Sequence, residues 1–128
     1  MMQKLFYISF LFVLITACRN NDNELHQLLT HETDIQQVEY VVVATDTDCI
    51  NCAFGIAKII EKQPEVKGLY YSKYPKDALI RLNKIFPNIQ WKQTHGNELL
   101  HYLRKQKEEG PYLIKITGHQ AYIIDQIQ

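Results

Sequence analysis

Cys49 and Cys52 stand two residues apart in "DTDCINCAFGIAKII" (residues 46–60), and they are the side chains of this chain best suited to covalent chemistry. Two thiols at that spacing can close and reopen a disulfide, clamp a soft metal ion as thiolates, or form a static bridge. The thiolate is the reactive form, so what matters is what surrounds the sulfurs. At a helix N-terminus, unpaired backbone N–H groups and the positive end of the helix dipole both favour thiolate over thiol.

The elements flanking the pair supply that setting. "EYVVVAT" (39–45) is apolar and β-branched almost throughout, which suits a strand buried on both faces. "DTD" interrupts it, and "CAFGIAKIIEKQ" then places Phe54, Ala57 and Ile60 at helical spacing. Pro64 should end that helix near Lys62 or Gln63. "EVKGLYYS" reads as a second strand, and a strand–helix–strand of this length favours a parallel crossover. Cys49 then lies at the helix mouth as the accessible, attacking sulfur, and Cys52 lies in the first turn, shielded, as the resolving one.

Further along, Pro75 fits a first helical position, and Ala78, Leu79, Leu82, Ile85 and Phe86 share one face until Pro87. "NELLHYLRKQKEEG" is a third helix with Asn97 as N-cap and Gly110 just past its end. "PYLIKI" and "AYIIDQI" flank "TGHQ", the pattern of a hairpin. Leu25, Leu28 and Leu29 are spaced for a short amphipathic helix ahead of the first strand.

With a buried strand running into "CINC", a helix, a second strand and the proline-led hairpin "GPYLIKITGHQAYII", the last 90 or so residues resemble the thioredoxin-like fold. The resemblance implies an α/β, three-layer domain with a central mixed sheet of about four strands flanked by helices. It also implies thiol–disulfide exchange, with Cys49 nucleophilic and Cys52 resolving. Members carry a cis-proline just before the hairpin, facing the cysteines and shaping the substrate groove, and Pro111 occupies that position. Two positions depart from the pattern: Asp48 replaces a frequent aromatic residue, and Val43 stands where thioredoxin carries a buried acid. A carboxylate beside Cys49 disfavours its thiolate.

Two other readings of the pair stay open. Cysteines at this spacing before a helix also resemble heavy-metal-associated domains, where Cys49 and Cys52 would bind Cu(I) or a similar ion and "DALIRL" would be a third strand. The pair could also be a static bridge in a structural lipoprotein. His95 and His101 are too far from the cysteines for usual zinc spacing and read as structural. Trp91 in "NIQWKQ" reads as a core cap, and the tyrosines as sheet faces and rims.

The chain's start bears on where such chemistry takes place. "MMQKLFYISFLFVLITAC" has one lysine and then an uncharged apolar run too short to span a bilayer comfortably, which is the shape of a secretory signal peptide. Its end, "LITAC", resembles the lipobox of bacterial lipoproteins. That resemblance implies cleavage after residue 17, acylation of Cys18, and attachment to a membrane on the exported side of a bacterial cell envelope. Disulfides persist in such a compartment.

The expected organisation is a signal peptide at 1–17, a tether at 18–33 and one domain at 34–128. The fourteen basic and fourteen acidic residues are mixed, with no basic block to suggest nucleic acid. Expected partners are protein thiols and disulfides of the envelope, together with the membrane holding the lipid on Cys18. The domain is expected to be monomeric and to need no cofactor.

Overall fold

The computed structural model describes residues 22–63 and 65–124. Their order is α1 (Glu24–Glu32), β1 (Tyr40–Thr45), α2 (Ile50–Ile60), β2 (Val66–Tyr71), α3 (Pro75–Ile85), β3 (Gln90–Gln93), α4 (Glu98–Gln106), β4 (Tyr112–Thr117) and β5 (Gln120–Ile124). The signal peptide and Cys18 lie outside the described residues.

One mixed sheet runs β3-β2-β1-β4-β5, with β3, β2 and β1 parallel and β4 and β5 antiparallel. Val41, Val42 and Val43 are all fully buried because β1 is central and covered on both sides. Alternation along β1 divides the core. Val41 and Val43 face the leucines of α1 and α4, while Tyr40, Val42 and Ala44 face α2 and α3. The crossovers from β1 to β2 and from β2 to β3 step the same way across the sheet, which puts α2 and α3 on one face. The return to β4 carries α4 to the other face.

The sheet has five strands, not about four. The additional one is β3, whose "QWKQ" lacks the apolar alternation of a strand and is half-exposed at the edge. It forms because Gly68 of β2, its partner in register with Trp91, leaves room for the indole. A Cβ on Gly68 would sit 2.5 Å from Trp91 Cε3 and 2.6 Å from Ile89 Cγ2. The indole also meets Phe86 edge-on at 5.3 Å between ring centroids, so Trp91 caps this end of the core.

The expected tether ends sooner than residue 33. Asn23 caps α1 by accepting from the His26 N–H at 3.0 Å, and the same side chain pairs with both backbone groups of Ala121 in β5 (2.7 and 3.1 Å). Leu25 and Leu29 then close over the sheet. From Asn23 onward the chain belongs to the folded body because this helix buries sheet surface that would otherwise be wet. Among the described residues no helix is long and apolar enough to cross a membrane.

Candidate functional site

The C-terminal ends of β1 and β2 and the start of β4 meet at one end of the sheet, since β1 and β2 are parallel and β4 runs against them. The cysteines sit there. Cys49 is the N-cap of α2, and its Sγ accepts the Cys52 N–H at 3.2 Å. The two residues form a disulfide with Cα atoms 5.2 Å apart. Helix α2 therefore begins at Ile50, and its positive end is aimed at the Cys49 sulfur.

Accessibility is the reverse of the expectation, for Cys49 is half-buried and Cys52 exposed. Helix phase explains it. Ala53 takes the core-facing position, at 6% exposure, and each residue is rotated about 100° from the next, so Cys52 and Phe54 both turn outward. Phe54 is accordingly 54% exposed and not part of the core stripe, which runs through Ala53, Ala57 and Ile60.

Two loops hold the pair in place. The Cys49 N–H donates to the Gly110 carbonyl at 3.1 Å, which ties the cysteine loop to the segment ahead of β4. The next peptide bond, Gly110–Pro111, is cis. Pro111 itself is fully buried. Gly110 does not cap α4, which ends at Gln106 with Lys107 as C-cap; it is itself a buried residue of the site.

Asp48 completes the arrangement. Its Oδ2 accepts the Thr45 N–H at 2.6 Å and its Oδ1 accepts the Thr45 hydroxyl at 2.7 Å. Burial raises the Asp48 carboxyl above its ordinary value, and the two bonds from Thr45 and the charge of Arg81 only partly oppose this. Burial, and then the Asp48 charge, likewise push the Tyr112 phenol up. Asp46, in the same loop as Asp48, accepts the Lys73 N–H at 3.1 Å and lies 3.6 Å from the Arg81 guanidinium, fastening the loop to α3 and the residues before it.

The site thus unites Cys49, Cys52 and Pro111 from the sequence reading. It adds Thr45, which the run "TDTD" of short polar side chains signals only weakly, and gives Asp48 and Gly110, read in the sequence as a charge beside Cys49 and a helix end, a shared place beside the pair.

Other candidates lie apart. His95 and His101 are exposed, and among the described residues no three His, Cys, Asp or Glu side chains are grouped to hold a metal. "DALIRL", the third strand of the heavy-metal reading, lies inside α3, because its apolar residues repeat at helical spacing against the sheet. A groove of about 1510 Å³ opens near the far end of the sheet, lined in part by Phe54, Lys58, Phe86 and Trp91, and touches neither cysteine.

No protein-family model, curated protein or solved structure matches this chain.

Proposed function

We propose that the protein is a thiol–disulfide oxidoreductase with a thioredoxin-like arrangement, held at a bacterial envelope membrane by a lipid on Cys18. The observation that carries this reading is the Cys49–Cys52 disulfide at the N-terminus of α2, with the Cys49 N–H bonded to the carbonyl that precedes Pro111. The cap makes Cys49 the sulfur whose negative charge the helix end stabilises, whereas the exposed Cys52 is within reach of solvent.

In the reduced protein, the Cys49 thiolate attacks one sulfur of a substrate disulfide and displaces the other as a thiolate, which takes up a proton. Cys52, as thiolate, then attacks the Cys49 sulfur and releases the second substrate thiol. The net change is one substrate disulfide to two thiols and one protein dithiol to the disulfide, a transfer of two electrons. Run backwards, the same steps oxidise a substrate. The direction follows from the potentials of the partners.

Trapping in cells tests the reading. A Cys52→Ser chain should accumulate mixed disulfides with envelope proteins through Cys49, and Cys49→Ser should accumulate far fewer. Absence of mixed disulfides in both variants defeats the proposal, and trapping only in Cys49→Ser would transfer the attacking role to Cys52.

A further inference from the structure

Asp48 is the residue of the site whose role the exchange steps above leave unassigned. Both of its carboxyl oxygens are engaged by one residue, Thr45, at 2.6 and 2.7 Å, so the side chain has a single defined position. That position is against Gly110, where an added Cβ would lie 2.5 Å from Asp48 Oδ1 and 3.0 Å from Tyr112 Cε2. The carboxyl and the Tyr112 ring fill the space that a side chain at 110 would need. The Gly110 carbonyl in turn receives the Cys49 N–H. Asp48 and Gly110 therefore interlock the loop that carries the cysteines with the loop that carries Pro111.

We propose that Asp48 is a positioning residue for the cysteine pair: seated on Gly110 and fastened by Thr45, its carboxylate holds the Cys49 N–H on the Gly110 carbonyl and opposes ionisation of the Cys49 thiol.

The electrostatic half of this follows from adjacency. When ionised, the carboxylate immediately before Cys49 is a half-buried and weakly screened negative charge. The groups facing that charge are Arg81 of α3, Glu109 of the segment before β4, Tyr112 of β4 and Thr45 of β1. Arg81 offsets it in part, while Glu109 adds to it. The helix end favours the Cys49 thiolate and Asp48 opposes it. Their balance sets how much thiolate is available to attack, and how far the dithiol is favoured over the disulfide.

The inference rests on the cysteine chemistry proposed above but is tested without any substrate protein. Asp48→Asn keeps the shape: its amide oxygen can accept the Thr45 N–H and its NH₂ can donate to the Thr45 hydroxyl, while the charge is gone. In the reduced full chain, the carbon NMR shift of Cys49 Cβ followed with pH reports ionisation of that thiol alone. Asp48→Asn should ionise at lower pH, giving roughly tenfold more thiolate at a given pH below the midpoint.

With glutathione, the equilibrium of one protein disulfide and two GSH against the dithiol and GSSG should move toward the dithiol in the same variant. Asp48→Ala removes the fastening as well, and the Cys49 amide should then exchange with solvent faster than in Asp48→Asn. Coincident Cys49 titrations in wild type and Asp48→Asn overturn the electrostatic role, and unchanged amide exchange in Asp48→Ala overturns the positioning role. A chain that traps no envelope protein yet shows both shifts loses the proposed function and keeps this inference.

Discussion

The two faces of the sheet are packed differently. On the α1–α4 face, Leu25, Leu29, Leu99 and Leu103 are all 0–2% exposed and meet the sheet with long side chains. On the α2–α3 face Ala53, Ile60, Ala78, Leu82 and Phe86 are buried, and Ile56, Ala57, Ile59, Leu79 and Ile85 are only partly so. The first face is a closed core of leucines, valines and isoleucines around Tyr71 and Tyr112. The second leaves the outer side of α2, with Cys52 and Phe54, to solvent, while the Cys49 N–H is held on the Gly110 carbonyl. A reactive pair needs that combination: a fixed backbone and an accessible sulfur.

The largest test of this contrast is truncation on each face. Leu103→Ala should cost about 2–5 kcal/mol, since a fully buried leucine leaves a cavity that a close-packed surround cannot refill. Leu82→Ala on the other face should fall at the low end of that range because its partly exposed neighbours can relax. Denaturant midpoints measure both, and equal losses would erase the distinction between the faces.

A smaller effect distinguishes Asp48 from the aliphatic core by its dependence on pH. Burial raises its folded-state value above the ordinary 3.8, so the folded protein holds this proton more tightly than the unfolded chain does. The contribution to stability is therefore fully present below the ordinary value and is lost as pH rises through the raised one. Asp48→Asn should accordingly gain stability relative to wild type as pH rises from below 3.8 through the raised value. A difference that stayed flat over that interval would show the carboxyl to be unperturbed. The smallest effect belongs to the outer side of α2. Phe54→Ser, on an exposed position, should shift stability by no more than about 0.5 kcal/mol. A loss of several kcal/mol in thermal or denaturant unfolding would return Phe54 to the core.

Much of the architecture was legible because it is written locally. The apolar run of β1, the Pro75 start and the Ala78–Leu82–Phe86 face of α3, and the Gly118 turn, whose φ is +61°, all follow from neighbouring residues. Strand β3 was not legible. "QWKQ" is a strand because β2 offers it hydrogen bonds and Gly68 offers Trp91 a seat, and neither is visible within the segment. Gly110 read as a helix stop because glycine is common there, but its buried place against Asp48 depends on β4 lying beside β1. Phe54 and Cys52 were misplaced for a common reason. Several apolar residues in α2 allow more than one helical face, and only contact with the sheet picks the one through Ala53.

For the disulfide pair, chain order alone placed Cys49 and Cys52 between a buried strand and a helix, since hydrophobic periodicity and the breaker "DTD" are properties of the chain itself. It also placed a carboxylate next to the first sulfur. Only the tertiary structure decided what that carboxylate does. The antiparallel pairing of β4 with β1 brings residue 110, sixty-two positions after Asp48, against its side chain, and turns an acid that read as a hindrance into the contact that holds Cys49 beside Pro111. Such a contact depends on strand pairing between distant segments, and no local pattern encodes it.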